Sequence, residues 1–401
     1  MSSPDTPTAY AEQLKTEAAA RTLAGWSFPP PEAGNSHSRT IKKVGVIGAG
    51  VMGSGIAHWC AACGLQVVLR DVQPEFIARG LTVIRGLFDG GVKLGQQTAD
   101  EAEQAMGRIV TTTGWDGFSD CDLVIEAIVE DVAAKQKLFA EIATNVGPLV
   151  LLASNTSALP IEELFGNVPQ PERTLGIHFF NPVGRMPLVE LIMGRQTSEA
   201  TATAALGFVK QLKKSPVICR SSPGFLVTRV LFFYLNEACR LWEEGVPTET
   251  IDNAMREWGW PMGPMRLIDE VGVDVTDFIF GEMAHYFTAR FQRATICTRL
   301  LAAGFKGRKN GASSGFYAYV GREASLNEAA KLMDVGPMSS TPTATEIAGR
   351  LMAVMVAEAQ RCLDEGVIKT PADVDFALLS GAGFPATRGG LMHWAAGKNT
   401  G

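Results

Sequence analysis

The strongest constraint on the fold is a run of glycines, Gly48-Ala49-Gly50-Val51-Met52-Gly53, set between an apolar run and a helical pattern. Val44-Gly45-Val46-Ile47 has the continuous hydrophobicity of a strand buried on both faces. The pattern after Gly53 is helical as far as Gly64, and Gln66 to Asp71 reads as a second strand. In such a βαβ unit the first glycine permits a tight turn and the second lets backbone approach a pyrophosphate. The third lets the helix pack closely on the strand. The helix N-terminus, at Val51 and Met52, then offers free N–H groups and a partial positive charge to phosphates. Asp71 ends the second strand, where a carboxylate accepts hydrogen bonds from ribose hydroxyls and repels a 2′-phosphate. That preference points to NAD rather than NADP. A glycine-rich turn without a ligand is the plainer alternative.

Further β and α segments alternate beyond this unit. Leu123-Val124-Ile125 and Leu149 to Leu152 read as strands, with a helix over about 131–145 between them. The pattern implies a doubly wound α/β sheet with its ligand at the carboxyl ends of the strands. After Pro223 strand signals vanish and long helical patterns repeat. Arg229, Glu237, Arg240, Glu244-Gly245-Val246 recur at one constant offset as Arg350, Glu358, Arg361, Glu365-Gly366-Val367. Ile251-Asp252 then matches Val374-Asp375, and Gly259-Trp260-Pro261 matches Gly383-Phe384-Pro385. This is a duplicated helical module whose second copy looks clipped after Trp394. The expected division is a helix and proline-rich linker at 1–40, a nucleotide-binding domain at 41–221, and helical modules at 222–322 and 340–401. Within the first segment, 1–25 reads as an amphipathic helix, and Pro29-Pro30-Pro31 begins a stiff linker running to about Thr40.

Composition excludes several classes. The net charge of −6 gives no overall field to attract nucleic acid. No apolar run approaches the roughly 18 residues of a membrane-spanning helix. No signal peptide is apparent, and the seven scattered cysteines imply reduced thiols and a cytoplasmic setting. Cys60-x-x-Cys63 falls within the helix after the glycine turn and reads as small core residues. No metal-ligand spacing is present.

His178 is the informative histidine. His37, His58, His285 and His393 lie in linker or helical patterns and are expected to be inert. Leu175 to Phe180 reads as a strand, Asn181-Pro182-Val183-Gly184 as a turn, and Leu188 to Ile192 as a returning strand. His178 and Glu190 are equidistant from Gly184, so an antiparallel pair places imidazole opposite carboxylate. Oxidising a secondary alcohol needs a base for the hydroxyl proton while a hydride leaves. An imidazole oriented by a carboxylate suits that task. The spacing fits equally a buried pair that merely braces a hairpin. Ser154-Asn155-Thr156-Ser157 follows a strand and could orient a carbonyl or an amide, or simply cap a helix. Glu126-Ala127-Ile128-Val129-Glu130, with Lys135 one turn on, also lies at a strand end. A surface charge pair is the alternative there.

Together the runs GVIGAGVMGSGIA, VIEAIVEDVAAKQKLF, SNTS, GIHFFNPV, MPLVELI and SPGFLVTR resemble the L-3-hydroxyacyl-CoA dehydrogenase family over about 41–401. The tandem modules resemble the dehydrogenase half of the multifunctional fatty-acid β-oxidation protein, whose hydratase half has no counterpart in this sequence. The resemblance implies a Rossmann-type NAD-binding domain followed by an all-α domain. It implies NAD-dependent oxidation of (S)-3-hydroxyacyl-CoA to 3-oxoacyl-CoA. His178 matches the catalytic base, Glu190 its partner, and Ser157 the residue contacting the 3-oxygen and the nicotinamide. Gly48, Gly50, Val51, Met52, Gly53 and Asp71 match the NAD cradle. Ala127, Glu130, Lys135 and Asn181 match positions near the cofactor. Thr228 stands where the family usually has asparagine, and a hydroxyl offers one donor where an amide offers two. Arg79, Arg85 and Lys93 are candidates for CoA phosphates. Lys309-Asn310-Gly311-Ala312-Ser313-Ser314-Gly315-Phe316-Tyr317 resembles the family's lysine-and-glycine stretch before Gly-Phe-Tyr. The implied partners are an acyl-CoA and a separate hydratase or thiolase, with an internal pseudo-dimer in a monomeric chain. The alternative from another class is a non-catalytic NAD- or CoA-binding relative, motivated by Thr228 and the missing hydratase.

Overall fold

A computed structural model of the chain describes residues 6–18, 20–29, 40–308, 314–321, 323–331 and 342–398. Most of the linker reading at 30–39, with His37, and the stretch 309–313 lie outside the described residues. Two compact units emerge, one formed by Lys15–Ser222 and one by Met1–Leu14 with Pro223–Gly401. The first helix, α1 (Pro7–Ala18), is shorter than the expected 1–25, because the chain from Ala20 onward turns. Trp26 and Phe28 pack instead against the sheet unit's core, and Arg220 on the last strand of that sheet donates to the Ser27 carbonyl at 2.6 Å.

The sheet unit runs β1 (Lys43–Ile47), α2 (Val51–Ala62), β2 (Gln66–Arg70), α3 (Pro74–Lys93), α4 (Ala99–Met106), β3 (Ile109–Thr112), β4 (Leu123–Glu126), α5 (Val132–Asn145), β5 (Leu151–Ser154), α6 (Ile161–Phe165), β6 (Thr174–Phe179), β7 (Leu188–Met193), α7 (Glu199–Gln211) and β8 (Ser215–Arg220). Its eight strands lie in the order β3-β2-β1-β4-β5-β6-β7-β8. All neighbours pair in parallel except β6 with β7, so the last two strands run against the other six. β4, β5, β6 and β7 are buried along their whole length, which explains their unbroken apolar runs. β1, β4, β5 and β6 therefore end side by side, and the polar residues at those ends converge.

The helical unit contains α8 (Val227–Glu243), α9 (Thr248–Trp258), α10 (Pro264–Val271), α11 (Val273–Phe287), α12 (Ile296–Ala302), a hairpin of β9 (Tyr317–Val320) and β10 (Glu323–Leu326), α13 (Glu328–Lys331), α14 (Ala344–Asp364), α15 (Pro371–Ala377) and α16 (Leu391–Lys398). The hairpin corrects the expectation that strands vanish after Pro223. Asp269 on α10 builds it, accepting N–H groups of Phe316 and Tyr317 and the Tyr319 hydroxyl. A Cβ on Gly315 would lie 1.9 Å from that carboxylate.

The duplication is visible as reciprocal pairing between α8 and α14. Arg229 bonds Glu358 at 2.6 Å and Glu365 at 2.7 Å, while the equivalent Arg350 bonds Glu237 at 2.5 Å and Glu244 at 2.5 Å. Each arginine thus crosses to the carboxylates of the other copy, as in a two-fold interface between identical surfaces.

Candidate active site

The glycine turn has the geometry of a cradle. Gly48 sits at φ +105, and its N–H donates to the Arg70 carbonyl at 2.8 Å. A Cβ there would come within 2.5 Å of the Ala127 carbonyl, and one on Gly53 within 1.7 Å of the Gly48 carbonyl. A Cβ on Gly50 would meet no protein atom within 4 Å. Two of the glycines are therefore demanded by packing, and the middle one keeps space open at the N-terminus of α2. Gly50 caps that helix without a side chain, Val51 is exposed and Met52 half-buried. Asp71 holds the turn through its Oδ2, which accepts the Ala49 N–H at 2.7 Å, while Oδ1 accepts the Val72 N–H at 2.7 Å. An open backbone at a helix N-terminus, with a carboxylate beside it, fits a dinucleotide's pyrophosphate and ribose diol.

Across the sheet, the β6–β7 register pairs His178 with Glu190. His178 Nδ1 lies 2.8 Å from Glu190 Oε2, and Nε2 lies 3.1 Å from Ser157 Oγ. Glu190 has no exposed surface, and His178 is buried. A carboxylate only accepts hydrogen bonds, so the proton of a neutral ring belongs on Nδ1. The Nε2 lone pair then faces the serine hydroxyl, which donates to it. The Phe180 ring packs 4.5 Å from the imidazole and limits how it can tilt.

The polar segment 154–157 is not a helix cap, since the next helix, α6, begins at Ile161 after Pro160. It is held from several sides. Asn155 Oδ1 accepts the Phe179 N–H at 2.9 Å, tying the segment to β6. Glu130 accepts the Ser157 N–H at 2.8 Å and also the Thr156 hydroxyl. Glu130 pairs with Lys135 at 3.0 Å, and Lys135 with Glu126 at 2.6 Å. The alternative of a surface charge pair fails, because Lys135 and Glu126 are both buried. Burial alone would push the Lys135 ammonium down, but the charges of Glu126 and Glu130 outweigh it and hold its pKa above the usual lysine range. Burial would likewise push the Glu130 carboxyl up. The Lys135 charge and the hydrogen bonds from Thr156, Lys135 and Ser157 hold it down.

The loop after β6 is anchored by a residue the sequence did not single out. Lys214 donates to the carbonyls of Val183 and of Met186, the latter at 2.8 Å, and lies 4.3 Å from the centre of the Trp59 ring. Burial pushes its ammonium down to about 8. Asn181, in the same loop, is exposed. Ala127 donates its N–H to the Ile47 carbonyl beside the glycine turn. Thr228 belongs to the helical unit, buried at the start of α8. Of the CoA-phosphate candidates, Arg85 pairs with Glu103, Arg79 lies over the Phe76 ring, and Lys93 ends α3. His58 is buried against Phe88, with burial lowering its pKa to about 4, and Cys60 is core. Among the described residues no group of three or more His, Cys, Asp or Glu is placed to hold a metal. No described helix is long and apolar enough to cross a membrane.

Comparison with known proteins identifies the family. Residues 43–222 match the family model for the 3-hydroxyacyl-CoA dehydrogenase NAD-binding domain, and residues 224–319 match that family's C-terminal domain. The fatty acid oxidation complex subunit alpha of Pseudomonas savastanoi pv. phaseolicola is 37% identical over 366 residues, 89% of this chain and 50% of that protein. The chain thus spans about half the length of the curated relatives it matches. Among solved structures, 3-hydroxybutyryl-CoA dehydrogenase from Escherichia coli K12 is similar at TM-score 0.76 and 28% identity, covering 90% of this chain and 92% of that one. M. tuberculosis FadB2 is similar at TM-score 0.68 and 39% identity, covering 70% of this chain and 100% of that one. The nucleotide cradle, the strand order and both matched domains lead to one conclusion: this chain belongs to the NAD-dependent 3-hydroxyacyl-CoA dehydrogenase family.

Proposed function

We propose that the chain oxidises (S)-3-hydroxyacyl-CoA to 3-oxoacyl-CoA, with His178 as base, Glu190 as its electrostatic partner and Ser157 as the group that orients the substrate oxygen. The observation carrying this reading is the unbroken line Ser157 Oγ, His178 Nε2, His178 Nδ1, Glu190 Oε2 at the carboxyl ends of β5 and β6. Ser157 Oγ and His178 Nε2 stand 3.1 Å apart, so one oxygen atom can be a partner to both. The imidazole lone pair accepts the 3-hydroxyl proton, and Glu190 stabilises the cation that forms on the ring. The serine hydroxyl, released from Nε2, donates to the oxygen as it becomes a carbonyl. NAD, when bound, supplies the hydride acceptor. Gly48, Gly50 and the N-terminus of α2 would hold its pyrophosphate, Asp71 its ribose, and Ala127, Glu130, Lys135 and Asn181 line the neighbouring edge. Thr228 stands at the family's usual asparagine position, where its hydroxyl offers one donor in place of an amide's two.

The seven free cysteines support a cytoplasmic setting. The reciprocal arginine–carboxylate pairs support two modules, at 222–322 and 340–401, that act as an internal pseudo-dimer in a monomer. The sequence likeness to a complex subunit supports a hydratase or thiolase partner. Purified protein given acetoacetyl-CoA and NADH is expected to consume the NADH absorbance. His178→Ala should remove the activity while leaving NADH binding by fluorescence intact. An unchanged rate in that variant overturns the assignment.

A further inference from the structure

One heavily bonded, fully buried carboxylate in the sheet unit has no part in the proton path. Glu126, the last residue of β4, is fully buried. Its Oε1 accepts the Ile128 N–H at 2.7 Å and the Lys135 ammonium at 2.6 Å, and its Oε2 accepts the Ser154 hydroxyl at 2.6 Å. Two branches leave it, and both end on the segment that carries Ser157. In the first, Ser154 Oγ in turn accepts the Thr156 N–H at 3.2 Å. In the second, Lys135 passes the contact to Glu130, which receives the Ser157 N–H and the Thr156 hydroxyl. Ser157 Oγ then meets His178 Nε2.

We infer that Glu126 is a positioning residue for the reaction, a two-armed clamp that sets the Ser157 hydroxyl against His178. The inference rests on the function proposed above. The physical argument has two parts. A buried ammonium is tolerated only where carboxylates surround it, and Lys135 has Glu126 and Glu130. Without the Glu126 charge, Lys135 is held by Glu130 alone and draws that carboxylate toward itself, away from the Ser157 N–H. Without the Glu126 acceptor, the Ser154 hydroxyl is free to rotate and loosens the Thr156 N–H. Both changes move one serine oxygen by fractions of an ångström, the scale at which positioning shows in kcat.

The test is a double-mutant cycle. Glu126→Gln keeps volume and removes charge. It is expected to lower kcat about tenfold with little change in KM for acetoacetyl-CoA. In a Ser157→Ala background, where there is no hydroxyl left to position, the same substitution should lower kcat less than about twofold. An undiminished tenfold loss in that background overturns the inference while leaving the proposed function standing. So does wild-type activity in Glu126→Gln. Full activity in Ser157→Ala alone overturns the inference and the role assigned to that serine together. Should Glu126→Gln fail to fold, Ser154→Ala cuts only the lighter arm. Its loss of kcat must vanish in the Ser157→Ala background by the same criterion, and an additive loss refutes the clamp.

Discussion

The two copies of the helical module make the same crossing contact in different solvent, and this allows a quantitative contrast. Glu358 and Arg229 are both fully buried, and Glu358 also receives Arg361 at 3.0 Å and Arg290 at 3.3 Å. Replacing Glu358 with Gln leaves the Arg229 guanidinium in the interior without its buried carboxylate, while the more exposed Glu365 stays beside it. Breaking a buried pair in this way costs about 3–5 kcal/mol. The equivalent Glu237 pairs with Arg350, whose side chain is 34% exposed and keeps both contacts to Glu244. Water screens that arginine, so Glu237→Gln should cost only about 1 kcal/mol. Urea unfolding followed by far-ultraviolet circular dichroism measures both losses as shifts in midpoint. The double replacement Arg229→Met/Glu358→Leu should recover most of the larger loss, because no buried charge is then left unmatched. Equal losses in the two single variants would refute the burial argument. A double variant as unstable as Glu358→Gln would show that packing rather than charge sets the cost.

Two further outcomes follow from the geometry. Gly53→Ala, whose Cβ would meet the Gly48 carbonyl, should lower Tm and NADH affinity together; Gly50→Ala, facing open space, should leave Tm nearly unchanged and weaken NADH binding alone, as read by fluorescence titration. Asp252, Asp269 and Asp375 are each pushed up to about 6 by burial, so carboxyl-carbon NMR should show three aspartates titrating near there. Because these folded-state values lie above the ordinary aspartate value of 3.8, their stabilising contribution is complete below about pH 4 and is lost as pH rises through about 6. Aspartates that all titrate below pH 4 would contradict the buried environment.

The parts of the site that the sequence revealed are those fixed by local geometry. The glycine turn is legible because Gly48 and Gly53 leave no room for a side chain, and that demand appears directly as residue identity. The facing of His178 and Glu190 is legible because equal spacing from Gly184 sets an antiparallel register. The clamp at Glu126 is not legible in that way. Its partners Lys135 and Ser154 come from the next helix and the next strand, and a charged triplet in sequence looks the same on a surface. One signal was present. β4 is buried on both faces, so a glutamate ending it has no solvent to point into and must find partners inside. Lys214 gave no signal at all, since its acceptors are backbone carbonyls of a distant loop. The β9–β10 hairpin was missed because its strands are four residues long and are nucleated by Asp269 rather than by their own pattern.

The duplicated module also gives the start of α1 a place in the helical unit. In the first copy Asp252 accepts the N–H groups of Met265 and Arg266 at the start of α10, and a third bond comes from the Tyr317 hydroxyl at 2.7 Å. In the second copy Asp375 accepts the N–H groups of Met392 and His393 at the start of α16. Gly263 and Gly390 lie against these carboxylates so closely that a Cβ on either would come within 2.3 Å. Each copy therefore buries an aspartate that two backbone donors only partly satisfy. The second copy has Ala396 in the place of Asp269, the residue that nucleates the hairpin bearing Tyr317. Its third donor is instead Tyr10 of α1, whose hydroxyl reaches Asp375 at 3.3 Å while its ring stacks on His393 at 4.5 Å. A repeated sequence fixes the shared demand, a buried carboxylate in want of a donor. What meets that demand is a tyrosine from whichever segment can be brought to it, the hairpin in one copy and the N-terminal helix in the other.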